Sequence, residues 1–178
     1  ETVTLSIAAG TTIEKLEAAL SGAIVRSMPN TPAQVGRGAT AAVANVAVRP
    51  DDRTLVTALL EAVGAVEWVE EEGLIDAVTA VSGSGPAYVF LLVEALAAAG
   101  EKIGLPPALA AKFARLTIEG AGELLHRSPL PPETLRKNVT SPNGTTAAAL
   151  AVLMAEDGLQ PLIDEAVAAA KRRSEELA

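Results

Sequence analysis

The sequence predicts an open α/β sheet followed by an all-helical region. Up to residue 72, apolar β-branched runs alternate with short amphipathic patterns, as strands joined by helices do. From Leu74 onward no strand pattern recurs, and helix-like runs are punctuated by proline at their starts and glycine past their ends. With 178 residues, 49% of them hydrophobic and 20% charged, the chain is long and apolar enough to bury a core. The division falls at residues 1–72 and 73–178.

Residues 2–9 (TVTLSIAA) read as the first strand, closed by Gly10. Thr11 and Glu14 have capping-box spacing, and a helix over residues 12–20 sets Ile13, Leu16 and Leu20 on one face. Residues 23–28 form a second strand, ended by the turn Pro29-Asn30-Thr31-Pro32, and residues 39–48 a third, closed by Arg49-Pro50. Asp51 or Asp52 caps a helix carrying Leu55, Leu59, Leu60 and Val63, with Gly64 as its stop. Residues 66–69 complete the strands. In the second region, Ser84-Gly85-Pro86 opens a helix to Ile103, and Pro106-Pro107 opens one to Arg127. Pro131-Pro132 opens a short one to Val139, Thr145 one to Gly158, and Pro161 the last. Residues 87–96 (AYVFLLVEAL) are apolar nearly all round, which requires cover on every side. That cover is either the rest of the chain, around a central helix, or a second chain.

Composition narrows the chemistry. A formal net charge of -8 is opposite to the basic footprint of nucleic-acid binding, and four aromatics (Trp68, Tyr88, Phe90, Phe113) do not build a base-stacking platform. The absence of cysteine excludes disulfides, thiolate metal sites and thiol nucleophiles. The single histidine, His126, excludes a multi-histidine metal cluster and reads as a surface residue at a helix end, where the dipole favours it. No apolar run reaches the roughly 18 residues of a membrane span, and no signal-peptide pattern opens the sequence. The expectation is a cytoplasmic protein with no nucleic-acid or membrane partner. The sequence opens on Glu1, not Met, two residues before a strand-like run, which predicts a fragment or a processed chain.

Four local patterns bear on function. Gly36-Arg37-Gly38-Ala39-Thr40-Ala41 has the spacing G-x-G-x-x-A, but its glycines precede a strand, whereas a dinucleotide fingerprint follows a strand and opens a helix. Ser82-Gly83-Ser84-Gly85-Pro86 reads as a turn that exposes backbone N–H groups for close approach, or as a tight joint between helices. Glu70-Glu71-Glu72 marks a boundary, since three adjacent loop carboxylates do not converge on one cation, and Lys171-Arg172-Arg173 is a solvated last turn. The stretch Val139-Thr140-Ser141-Pro142-Asn143-Gly144-Thr145-Thr146 is the most informative. It is a polar turn whose Asn143-Gly144 suits positive φ, followed by an alanine-rich helix. The N–H groups at that helix start, with the dipole behind them, fit a small carboxylate, and two hydroxyls stand beside it. The alternative is a capped helix start with no ligand.

The segments Asp76–Tyr88 (DAVTAVSGSGPAY) and Asn138–Thr146 (NVTSPNGTT), together with Ser6-Ile7-Ala8-Ala9-Gly10 and Met28-Pro29-Asn30-Thr31-Pro32, closely resemble four hallmark segments of pyrroline-5-carboxylate reductases, in the family order. The resemblance covers the whole chain. It implies the C-terminal half of a Rossmann-like parallel-sheet domain, then a helical domain that interlocks with a second copy as a homodimer, on which some members build decamers. It implies hydride transfer from NADPH or NADH to the C=N bond of 1-pyrroline-5-carboxylate, giving L-proline in the last step of proline biosynthesis. It carries over Thr146 as the threonine whose hydroxyl faces the ring nitrogen, and Val139, Ser141, Asn143, Gly144 and Thr145 as substrate-binding. Ala9, Pro29, Asn30 and Asn138 are carried over to the cofactor's surroundings, and Asn138 also lies at the subunit boundary.

Two departures stand out. Asn143-Gly144 replaces the family's usual Gly-Gly, which asparagine's tolerance of the left-handed region accommodates. The family's first strand and its G-x-G-x-x-G/A pyrophosphate turn have no counterpart here, so this polypeptide alone is expected to bind cofactor weakly and to be inactive. Hydroxyacid dehydrogenases of the 6-phosphogluconate type share the architecture. They carry a catalytic lysine where this chain has Val89 and an asparagine where it has Leu92. A non-catalytic helical oligomerisation module also accounts for the apolar helix.

Overall fold

The computed structural model describes residues 2–178; Glu1 lies outside the described residues. Strands β1 (Val3–Ser6), β2 (Ala23–Met28), β3 (Gly38–Ala44) and β4 (Gly64–Trp68) form one sheet in the order β1-β2-β3-β4. The inner strands β2 and β3 are buried on both faces, so their sequences AIVRSM and GATAAVA do not alternate. One face packs Val25 and Ala42 against Val56 and Leu60 of helix α2 (Pro50–Glu61). The other packs Ala41 and Val43 against Ile75 of helix α3 (Leu74–Val78), with Ile13 of helix α1 (Ile13–Ala19) at its margin.

The sheet is mixed, which corrects the expectation of a parallel one. Pairs β1/β2 and β3/β4 are parallel, each joined through a helix, but β2 and β3 are antiparallel. The reason is the connection. Only residues 29–37, with a 3-10 turn (Thr31–Val35) among them, separate β2 from β3, and a parallel return needs a crossover of a dozen or more residues. The pattern Gly36-x-Gly38 is spent on this reversal. Gly36 closes the turn at φ 68°, and a side chain on Gly38 would meet the Val63 carbonyl at 2.8 Å. Opposite it Gly64 has φ 154°, and a Cβ there would overlap Gly38 backbone atoms.

Several ends shift for local reasons. The first strand stops at Ser6, not residue 9. Thr12 rather than Thr11 caps α1, accepting from Lys15 N–H at 3.3 Å. The third strand ends at Ala44 because Asn45 Oδ1 accepts from Ile24 N–H at 3.0 Å and turns the chain. Arg49, not Asp51 or Asp52, is the N-cap of α2; Asp52 sits inside the first turn and accepts from Arg49 N–H at 3.1 Å. Gly64 begins β4 itself.

Six helices follow β4: α3, α4 (Gly85–Lys102), α5 (Pro107–Arg127), α6 (Pro132–Asn138), α7 (Thr145–Leu153) and α8 (Leu159–Leu177). The all-helical reading of this half therefore holds. Helix α7 ends before residue 158, and α8 begins ahead of Pro161. The chain forms two compact units, one of residues up to Pro86 with Glu165–Ala178, the other of Ala87–Asp164. In the first, the end of α8 is tied down by Ser174 Oγ, which donates to Asp76 Oδ1 at 2.6 Å with both residues buried. In the second, Ala110 and Ala114 are the only buried residues.

The apolar helix does not find its cover inside its own unit. On α4, Phe90 and Leu91 are 62% and 63% exposed, and Val89 and Leu92 nearly half. Helix α4 is therefore not the buried centre of its own unit. The stretch Leu74–Lys102 is also long and apolar enough to cross a membrane by length and composition, which corrects the expectation that no run reaches that measure.

Candidate functional site

The substrate-type loop is built from the end of α6 to the start of α7. Asn138 is the last residue of α6 and Val139 its exposed C-cap. Thr140 folds back, its N–H bonding Lys137 O at 3.0 Å and its hydroxyl donating to Arg136 O at 2.6 Å. Asn143 has φ 59°, the sole non-glycine in the left-handed region among the described residues. Its conformation lets Gly144 N–H reach Ser141 O at 3.1 Å and brings the chain to the helix start. Gly144 is the N-cap, at φ -81° and ψ 174°, and having no side chain it caps nothing. The first N–H held in the helix ladder is that of Ala148, on Gly144 O at 3.1 Å. The N–H groups of Thr145, Thr146 and Ala147 thus have no partner among the described residues. Thr146 and Ala147 are half-buried, and Ser141, Pro142, Asn143 and Thr145 are exposed. The arrangement offers an anion three backbone donors and the positive end of a helix dipole.

The other site residues lie in the first unit. Ala9 follows β1, and Pro29-Asn30 follow β2. Because these strands are parallel, the two loops share the carboxyl edge of the sheet, where open α/β sheets bind ligands. The structure thus groups Ala9, Pro29 and Asn30 at one sheet edge, and Asn138, Val139, Ser141, Asn143, Gly144, Thr145 and Thr146 in one turn of the other unit.

Sequence reading missed three polar anchors. Arg26 is 3% exposed, and its Nη1 donates to Glu72 Oε1 at 2.6 Å. The same oxygen accepts from Ile13 N–H at 2.8 Å, so Glu72 is an anchor and not a mere boundary. Asp76 with Ser174 is the second, and the Asn30 carboxamide is the third. The arginine inside AIVRSM was the visible signal, since a charge in a buried strand needs a partner. The segment of residues 82–86 is the tight joint between helices and not an open turn. A π-helical segment (Thr79–Gly83) carries the chain from α3 towards α4, and Ser84 N–H reaches back to Thr79 O at 2.8 Å.

A mixed α/β sheet unit, followed by helices with little core of their own and an anion-ready turn, defines a two-part protein whose helical unit leaves an apolar helix face exposed. A family model described as pyrroline-5-carboxylate reductase dimerisation matches residues 72–177. A pyrroline-5-carboxylate reductase of Synechocystis sp. is 49% identical over 97% of this chain and 64% of its own length. One of Pseudomonas aeruginosa is 46% identical over 100% of this chain and 66% of its own. The solved reductase of Coxiella burnetii superposes with a TM-score of 0.93 at 40% identity, covering 99% of this chain and 66% of that one. That of Plasmodium falciparum, solved with NADP bound, gives 0.83 at 35%, covering 98% and 71%. The chain belongs to the pyrroline-5-carboxylate reductase family, and it spans just under two thirds of the length of the curated relatives named here.

Proposed function

We propose that this chain serves the reduction of 1-pyrroline-5-carboxylate to L-proline with NADPH or NADH, as a cytoplasmic homodimer or a decamer of such dimers. The observation that carries the reading is the open set of N–H groups on Thr145, Thr146 and Ala147 in a family member. A small cyclic imino acid has one strong handle, its carboxylate, and these amides are matched to it. Ser141, Asn143, Gly144 and Val139 shape the turn that holds them, and the Thr146 hydroxyl stands one residue into the helix.

Nothing in this chemistry requires a histidine or a thiol. Bound NAD(P)H supplies a hydride to the ring carbon. As the C=N π electrons move onto nitrogen, the Thr146 hydroxyl donates to that nitrogen and stabilises the developing charge; the proton that completes the amine comes from solvent. The cofactor positions carried over by the resemblance, Ala9 after β1 and Pro29-Asn30 after β2, lie at the carboxyl edge of these two strands. Among the described residues no G-x-G-x-x-G/A turn joins a strand to a helix, so no pyrophosphate cradle is assigned here. The exposed Val89, Phe90, Leu91 and Leu92 of α4 support a second copy as the cover for that helix.

The test is a titration of the labelled chain with L-proline followed by amide chemical shifts. Shifts confined to Thr145, Thr146, Ala147 and the preceding turn support the reading; unchanged shifts there at high proline sink it and favour a non-catalytic oligomerisation module.

A further inference from the structure

We infer that Asn30 is a positioning residue of the cofactor edge, acting by holding a carbonyl that Pro86 leaves without a donor; this rests on the reductase reading above. Ser82 belongs to the π-helical segment that leads into α4, and the α-type donor for its carbonyl would be the N–H of residue 86, four positions on. Residue 86 is proline and has no N–H. Asn30 Nδ2 takes that place, lying 3.2 Å from Ser82 O and 3.1 Å from Ser82 Oγ. The other end of the same carboxamide is also committed: Asn30 Oδ1 accepts from Ala39 N–H at 2.9 Å. One side chain therefore links the loop after β2, the first residues of β3 and the entry to α4. The approach is close as well, because a Cβ on Gly83 would meet Met28 Cε at 3.0 Å. With nitrogen and oxygen both engaged, Asn30 presents to a nucleotide the fixed backbone of Pro29-Asn30, not a free carboxamide. The proline in the glycine-rich segment and the asparagine of the β2 loop form one device, although more than 50 positions separate them (|i−j| is 52 for Asn30 and Ser82).

The test uses the full chain and three variants: Asn30→Ala, Pro86→Ala and the double variant. In Asn30→Ala, deuterium exchange at Ala39 N–H and at residues 83–88 speeds up by about tenfold or more, the result of leaving the Ala39 N–H and the part-buried Ser82 carbonyl unpaired. In an enzyme that also carries the family's pyrophosphate turn, KM for NADPH rises roughly tenfold, with kcat changed much less. Pro86→Ala restores an N–H four residues beyond Ser82 O. In the double variant it returns protection at residues 83–88 and most of the KM, while Ala39 stays fast because its acceptor is still missing. A merely structural loss would not be rescued at one end only. The inference is overturned if the double variant is no better than Asn30→Ala. It is also overturned if added NADPH shifts the Asn30 side-chain NH2 signals while Ala39 exchange in Asn30→Ala matches wild type, for then Asn30 is a direct ligand. If L-proline leaves the amide shifts of Thr145, Thr146 and Ala147 unchanged, the reductase reading fails, and the exchange data alone decide whether Asn30 holds Ser82.

Discussion

Removing the Glu72 carboxylate should cost more stability than removing the Arg26 guanidinium it pairs with. Arg26 is 3% exposed, so without Glu72 its charge stays buried and unpaired. Losing one partner of a buried pair costs about 3–5 kcal/mol. Glu72 is 31% exposed, so water already screens part of the pair and the figure must be reduced. Glu72 also accepts from Ile13 N–H at the first residue of α1, where a carboxylate is worth roughly 0.5 kcal/mol. Glu72→Ala is therefore expected to lose about 2–3 kcal/mol. Glu72→Gln keeps a neutral acceptor for both donors and should lose about 1 kcal/mol. Arg26→Met leaves a carboxylate that can turn to water, and it should cost less than Glu72→Ala. Urea unfolding followed by circular dichroism measures all three. With an m-value of roughly 2 kcal/mol/M, the Glu72→Ala midpoint falls by about 1 M or slightly more. The reasoning is refuted if Glu72→Ala unfolds at the wild-type midpoint, or if Arg26→Met is the more damaging change.

Three further outcomes are expected. In an enzyme that also carries the family's pyrophosphate turn, Thr146→Ala should lower kcat by roughly 100-fold, as loss of a donor at a developing charge does, with the KM for NADPH within about twofold of wild type; equal kcat would remove the hydroxyl from the reaction. Gly64→Ala should destabilise by about 2 kcal/mol or more, because its Cβ overlaps Gly38 at φ 154°, while Gly73→Ala, with open space around it, should be neutral within about 0.5 kcal/mol in the same melt. Asp52 is held below the usual carboxylate range by its hydrogen bonds to the Arg49 guanidinium and backbone N–H. A lowered folded pKa stabilises above the unfolded value, about 3.9, and that stabilisation is lost as pH falls through the folded one. Asp52→Asn should then show a smaller drop in Tm than wild type between pH 6 and pH 3 (both approximate); an identical drop would mean that Asp52 does not titrate with folding.

The linear sequence settles whatever depends on near neighbours. Apolar β-branched runs marked four strands, Pro107 and Pro132 marked the starts of α5 and α6, and Gly104 the stop after α4, because φ limits and missing N–H groups act within a turn. Asn143-Gly144 before Thr145 announced the left-handed turn and the open helix start, and the motif order announced the family. What the sequence could not state is how distant backbones meet. The antiparallel step from β2 to β3 follows from a short turn seen only against the paired strands. Glu72 read as a boundary until Arg26 was placed opposite it, and Asn30 read as a cofactor neighbour until Ser82 O and Ala39 N–H were found on its carboxamide. The apolar run of α4 required a cover, but only the folded structure decided that its own unit does not supply it. Local rules are written in three or four consecutive residues, whereas the satisfaction of a buried charge, an orphaned carbonyl or an apolar face depends on groups that folding alone brings within hydrogen-bond or van der Waals reach.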